Sequence, residues 1–464
     1  MRGRYAFCAW SVLAIAAQPV GAQERDADVL RPGEVRLSAG AEMWHIDSRF
    51  AENGTTSLTP ELEIELTPST LAGFNAIATL LTGFLDETND LPEAMPVDSS
   101  TLTAGTLSLD AAFSVRYLPI QLGVGILPRL EIGAQLPVYR TERLFRDYSL
   151  SGGNVGINPD SLANTELLTG ISEAGAALAG GPLLPVTGSP LAVELQQRVL
   201  ALTGDRLQLP DSAVTGPELR EQFPVLPPSH NLSLWHPGDL EVGARLRMLD
   251  NFGAAPFPAL GEGGVHYRLT GFGAVRFPTG VRPLPDYNIG SPPPAGFGGG
   301  RVGGVGDLFL GERVWISGGG SLQTLGGADI EVFVPGENGP YSEGSSIATV
   351  RRDPGNEANL WILPRFRLAP TISIGATLRS ERVSDGSDEF AGVEMPLEGG
   401  SRHSAGIFFR YTMLPIPPEG GLKLDAAVGY TGAFAGSAGV DAPSTAYFQL
   451  TLRRLFRRST PQVE

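Results

Sequence analysis

The chain has 464 residues, a formal net charge of −16, Gly 60 and Pro 38, and a single cysteine. This much glycine and proline argues for turns rather than long helices, and the negative charge argues against nucleic acid or an anionic membrane surface as partner. With Cys8 alone, neither a disulfide framework nor a thiolate metal site is available.

The first 22 positions read as a secretory signal peptide. Arg2 and Arg4 form the basic region, AFCAWSVLAIAA the apolar region, and Val20-Gly21-Ala22 a small-residue cleavage site. The apolar run is about a dozen residues, short of the roughly 20 that a helix needs to span a bilayer. Cys8 lies within it, too early for a lipidated cysteine. Cleavage removes two arginines and shifts the charge from −16 to about −18. Residues 23–464 are then expected to form a single barrel domain.

From there on, period-two alternation recurs. Leu130, Ile132, Ala134, Leu136 and Val138 oppose Glu131, Gly133 and Gln135. Ile372, Ile374, Ala376 and Leu378 oppose Thr371, Ser373, Gly375, Thr377 and Arg379, and Leu422 to Thr431 divides in the same way. A soluble sandwich also alternates. These runs, however, are often ten residues or more, about the length of a tilted strand crossing a bilayer.

The rule predicts about twelve strands: Glu34 to Ile46, Thr106 to Ile126, Arg129 to Phe145, Asp239 to Leu249, Val265 to Phe277, Asp307 to Ser317, Leu322 to Val334, Asn359 to Ala369, Thr371 to Val383, Arg402 to Leu414, Leu422 to Phe434 and Thr445 to Phe456. Short turns alternate with long connections, as periplasmic turns and extracellular loops do in outer-membrane barrels; the connection from Asp250 to Gly264 breaks that rule.

In the second strand the apolar positions are odd up to Tyr117 and even from Leu118. A bulge at Pro119 accounts for the change. The alternative is two strands here and another at Leu58 to Leu66, giving about fourteen. The fold class is therefore all-β, a transmembrane antiparallel up-and-down β-barrel with helical insertions in long loops.

Two loops carry helical periodicity. Leu71, Phe74, Ile77, Leu81 and Phe84 fall three to four residues apart within an insertion at about 67–86. The region at about 159–209 suggests two or three helices, including SPLAVELQQRVLAL. Their apolar faces either cap the barrel mouth and each other or line a ligand vestibule.

Catalytic signatures are broken. Gly298 to Gly303 matches G-x-G-x-x-G, but a strand follows instead of the helix that a phosphate site requires, so it reads as a flexible loop. His45, His230, His236, His266 and His403 are scattered without metal-ligand spacing, and there is no G-x-S-x-G. The expectation is no enzyme, no cofactor and no metal, although an outer-membrane hydrolase with a non-local triad remains formally open.

The charges in the polar phase are the candidate solute contacts. Arg245, Arg247, Arg268, Arg276, Arg313, Arg365, Arg367, Arg379 and Arg410 face Asp110, Glu131, Glu241, Asp307, Asp329, Glu331 and Asp425. They form either ion-paired ladders filling a narrow lumen or a cationic constriction selecting anionic or carboxylate-bearing solutes. The phrase G-D-L-x-x-G-x-R occurs twice, at Gly238 to Arg245 and at Gly306 to Arg313. Both copies are expected to open strands just after a long loop, placing Asp239 and Asp307 at the extracellular rim.

Arg129-Leu130-Glu131-Ile132-Gly133 after a turn, Gly-Asp-Leu opening a strand, and Phe277-Pro278-Thr279-Gly280 closing one resemble the outer-membrane transporter barrels associated with meta-pathway phenol degradation. Those are similar in character to barrels that take up fatty acids and aromatic hydrocarbons. The insertion at Arg146 to Gly238 departs from the pattern. The resemblance implies passive passage of small hydrophobic molecules and no catalytic residues. Outer-membrane lipid, a small-molecule solute, and the barrel-assembly machinery through the C-terminal strand are the expected partners. In that strand, Arg453, Arg454, Arg457 and Arg458 are expected to snorkel at the periplasmic rim. The rival expectation is a structural or surface-recognition barrel with a charge-plugged lumen.

Overall fold

Side chains that alternate between apolar and polar have one stable use in a long strand, which is to separate two environments. In the computed structural model, which describes residues 27–58, 63–91, 99–226, 230–232, 235–252, 264–281, 296–334, 336–339, 341–390, 392–413 and 422–455, twelve strands do so around a closed ring. They are β1 (Glu34–Ile46), β2 (Gly105–Leu127), β3 (Leu130–Ser151), β4 (Leu240–Asp250), β5 (Val265–Phe277), β6 (Gly299–Leu310), β7 (Val314–Leu325), β8 (Glu357–Ala369), β9 (Ile372–Val383), β10 (Gly400–Thr412), β11 (Leu422–Gly436) and β12 (Ser444–Leu455).

Each strand pairs antiparallel with the next, and β12 returns to β1 with Leu452 opposite Leu37. Closure leaves the ring without an edge. A short strand, Ile64–Leu66, lies outside the ring against β2. Residues 1–22, expected to form a signal peptide, and Phe456, Arg457 and Arg458 lie outside the described residues.

The outer face carries Leu122, Ile132, Leu246, Tyr267, Leu308, Leu360, Ile362, Ile407, Phe409, Val428 and Phe448, all exposed. A belt of this extent suits lipid and not water. No described helix is long and apolar enough to cross a membrane.

Three expectations need correction. The second copy of the repeated phrase does not open a strand: β6 ends at Leu310, Gly311 turns the chain with φ 64°, and β7 begins at Val314. Asp307 is thus near the short-turn end of the barrel. The cause is the run GGRVGGVG at Gly299 to Gly306, whose glycines erase the apolar alternation although their backbones pair fully with β5 and β7. The G-x-G-x-x-G match, expected to be a flexible loop, is instead the first part of β6 from Gly299 onward.

The second correction concerns Pro119. It pairs opposite Pro137 in unbroken register, and the bulges lie at Asp110/Ala111 and Gly125/Leu127. Odd positions face inward on both sides of Pro119, and what changes is the wall's chemistry. Val115 and Tyr117 join Trp44 and Tyr139 in an internal cluster, whereas Ile120 and Leu122 beyond Pro119 point out. One long strand results, and the ring has twelve members.

Third, Asp329 and Glu331 are not in the barrel. They lie on Ala328–Val334, one edge of a separate four-stranded sheet with Ser346–Asp353, Gly386–Phe390 and Val393–Leu397. This sheet is built from the β7–β8 and β9–β10 connections, and Arg352 Nε bonds Asp388 Oδ1 at 2.7 Å across it.

The helical insertions form α1 (Phe74–Glu87), α2 (Ser161–Leu168), α3 (Glu173–Ala179), α4 (Pro190–Thr203) and α5 (Gly216–Gln222). Ser189 caps α4 through the Ala192 amide at 3.2 Å, with Pro190 in its first turn, and Gly204 ends it at φ 77°. Phe74, Leu81 and Phe84 of α1 and Leu191, Leu195 and Val199 of α4 share one buried core with Leu107 and Leu109 of β2. Each such burial contributes about 1.5–3 kcal/mol. These helices pack on one another and on the upper β2–β3 hairpin, and their apolar faces are spent in that core.

Candidate functional site

The strand phases aim a defined set of side chains into the lumen. At the short-turn end the chain preceding β1 enters it. Gly33 N–H donates to Gly125 O at 2.9 Å, and a Cβ on Gly125 would collide with the Arg31 backbone, so this wall position must be glycine. Residues 27–30 then run inside the ring. Ala27 N–H donates to Asp307 Oδ2 at 2.9 Å, Thr270 Oγ1 to Ala27 O at 2.5 Å, Arg247 Nη2 to Val29 O at 3.0 Å, and Leu30 N–H to Glu131 Oε2 at 3.3 Å. Asp28 is 5 % exposed and takes Arg268 and Arg453 as ion-pair partners, with Arg247 at 3.5 Å.

Around Ala27 the lumen becomes aromatic. Trp361, Phe408, Tyr447, Val305 and Leu363 are buried with it, and Phe272 packs alongside. Each ring lies over a glycine of a neighbouring strand: Phe272 over Gly303, Trp361 over Gly319, Phe408 over Gly375 and Tyr447 over Gly429. A Cβ at Gly319 would sit 2.6 Å from the Trp361 indole, so these glycines set the space available to the rings. Arg365 stacks over Trp315 and Phe408, and Arg367 over Trp315, each 5.5 Å from the ring centroid.

Toward the long-loop end, Trp44 and Tyr117 stack with centroids 5.6 Å apart. Asp239 accepts from the amides of Gly280, Gly296 and Phe297 and pairs with Arg276 at 2.9 Å, tying both ends of the β5–β6 connection to β4. Glu381 lies between Arg379 and Arg402, and Arg301 pairs with Glu241. Beyond the strands, burial lifts the Asp441 carboxyl to about 6, opposed by nearby Arg49 and Arg402. A cavity of about 110 Å³ remains against the wall between Glu131, Gln135, Glu241, Arg245, Phe272 and Arg301.

The expected contacts therefore fall at different depths. Arg247, Arg268 and Asp307 gather at residues 27–30, and Arg410 pairs nearby with Asp425. Arg365 and Arg367 stack on aromatics, Arg245 lines the cavity, and Asp239, Arg276 and Arg379 stand toward the long loops. Arg313 belongs to none of these groups: it is exposed in the β6–β7 turn, outside any strand phase. Arg453 does not snorkel outward, because its odd position in β12 turns it inward to Asp28.

Strand phase alone would have added Arg36, Glu42, Glu381 and Arg402 to the inward set, while Arg301 lies in the glycine run of β6, which carries no such phase. Asp28 precedes the first periodic element and carries no such signal. The inward aromatics were missed because an inward face was equated with a polar one.

No protein-family model and no curated protein matches the chain. Among solved structures it is similar to an outer-membrane channel from Pseudomonas putida F1, at 12% identity over 93% of this chain and 98% of that one, with TM-score 0.42. It is similar to the TodX monoaromatic hydrocarbon channel deltaS2 mutant at 8% identity, over 92% and 91% of the two chains, with TM-score 0.33. The translocator domain of autotransporter NalP from Neisseria meningitidis shows 8% identity over 93% and 91%, with TM-score 0.30. All three scores lie below 0.5; the barrel architecture stands on the strand pairing.

Proposed function

We propose that this barrel is an integral outer-membrane protein that passes small, predominantly hydrophobic molecules by diffusion, with Ala27 to Leu30 as its closure. The reading is supported by the placement of residues 27–30 inside the ring, outside the barrel ladder, with Ala27 among Trp361, Phe408, Tyr447 and Phe272. Aromatic walls suit apolar solutes, and a plug held largely by side chains can leave without breaking the ring. The reading assigns no catalytic residue.

The second reading, a structural barrel, is favoured by the pairing of Arg268, Arg379 and Arg410 with wall carboxylates. Planar-bilayer conductance and uptake of benzoate, a small aryl solute, into liposomes separate the two. Passage above protein-free vesicles is expected; the absence of both conductance and uptake would refute transport.

A further inference from the structure

We propose that the pocket holding Asp28 is a binding site for carboxylates with an apolar body, and that Asp28 is its built-in occupant. Three guanidinium groups from three separate strands converge on this one carboxylate. Arg268 Nη1 lies 3.0 Å and Arg247 Nη2 3.5 Å from Oδ1, and Arg453 bonds Oδ2. Arg268 has no side-chain exposure and Arg247 2 %, so solvent does little to moderate their charge.

The wall orders Arg268 and Arg247 independently of the segment. Arg268 is held by Asp307 through Nε at 3.1 Å and Nη2 at 2.6 Å, and its guanidinium stands over the Phe252–Phe309 pair, 5.5 and 5.9 Å from the two ring centroids. Asp250 stands 3.8 Å from Arg247. The cationic group is thus part of the barrel, while the anion it receives belongs to the chain before β1, whose described residues 27–30 are seated by side-chain hydrogen bonds.

Electrostatics then restricts what can replace the segment. Withdrawing a buried carboxylate from among three cations, two of them buried, is costly, because the buried charges lose a partner without regaining water. A neutral solute cannot make up that loss; an entering carboxylate can, and arginine suits it by presenting paired N–H donors. Next to the carboxylate, the Ala27 methyl occupies the space walled by Trp361, Phe408 and Tyr447. A solute with an aryl or short alkyl body on its carboxylate fills both parts, and benzoate is the smallest aromatic probe of that form. The inference deepens the reading of the barrel as a passage and names its substrate class, yet the two fail separately.

The test is equilibrium dialysis of labelled benzoate and of benzyl alcohol against the detergent-purified full-length protein and its Asp28→Asn variant. Native folding is checked by heat-dependent gel mobility. An internal competitor lowers apparent affinity by the fraction of time it occupies the site, so Asp28→Asn is expected to tighten benzoate at least about tenfold and to change benzyl alcohol by less than about twofold. Arg453→Met added to Asp28→Asn should abolish that gain. Equal shifts for both solutes, or none, overturn the proposal.

If the variant does not fold, hydrogen exchange on the wild type decides: saturating benzoate should deprotect Ala27 and Leu30 while benzyl alcohol should not, and unchanged protection with benzoate overturns it. Liposome uptake is scored apart. Benzoate binding without uptake sinks the passage and leaves the site; uptake with no Asp28-dependent binding sinks the site and leaves the passage.

Discussion

The two copies of G-D-L-x-x-G-x-R stand at opposite ends of the barrel. In the first, Asp239 begins β4 at the long-loop end and gathers the amides of Gly280, Gly296 and Phe297. In the second, Asp307 is near the finish of β6 at the short-turn end, where it binds Arg268, Ser317 and the Ala27 amide. Gly243 is pressed into the wall, whereas Gly311 makes a turn at φ 64° with no atom within 4 Å of an added Cβ. Arg245 lines the cavity and Arg313 is exposed. The shared phrase sets which way the aspartate faces, inward in both cases, but not its depth: β4 and β6 both run from the long-loop end to the short-turn end, and the phrase opens the first and closes the second.

Paired substitutions in the two copies separate these roles, with urea unfolding in lipid vesicles as the measurement. Asp307→Ala should be the most damaging, because it removes a carboxylate from the fully buried Arg268; loss of one partner from such a pair costs about 3–5 kcal/mol. Asp307→Ala proving milder than Asp239→Ala would contradict the ranking of the two ends.

A third acid, Asp441, lies in the connection between β11 and β12. The folded pKa of Asp441 is raised from 3.8 to about 6 by burial, so between those values the folded chain holds a proton that the unfolded chain has released. Its contribution is therefore most favourable near pH 4 and is lost as pH rises through 6, by at most about 3 kcal/mol. Asp441→Asn should flatten that slope, and a slope unchanged by the substitution removes Asp441 as its source.

Asp239→Ala should cost about 2 kcal/mol, with faster hydrogen exchange at Gly280, Gly296 and Phe297. Gly243→Ala is expected to cost about 1–3 kcal/mol by overpacking, because its Cβ would meet Gly273 O at 2.5 Å and Ala274 Cβ at 2.8 Å. Gly311→Ala should cost about 1 kcal/mol through backbone strain alone. Last, Arg313→Ala should stay within about 0.5 kcal/mol, as exposed positions do; a larger loss would assign it a contact beyond the turn.

What was legible in the sequence follows from how much side chain each element carries. Strand β5 was bounded at Val265 and Phe277 because apolar residues mark both of its ends. Its neighbour β6 was displaced, since Gly299, Gly300, Gly303, Gly304 and Gly306 contribute hydrogen bonds to the ladder but no periodicity. The helices α1 and α4 were visible from apolar spacing, and their burial partners were not. Within the lumen, phase identified the inward arginines by face. It said nothing of Asp28, whose position depends on contacts to β4, β5 and β12 that no local pattern encodes.

The segment inside the ring is also joined to it, for only Arg31, Pro32 and Gly33 separate Leu30 from the start of β1. So short a tether holds Asp28 at a local concentration on the order of millimolar. Any solute that takes its place must match that advantage by abundance or by fit. Scarce or weakly bound molecules would leave the segment seated, and the threshold for displacing it is set by three residues of chain.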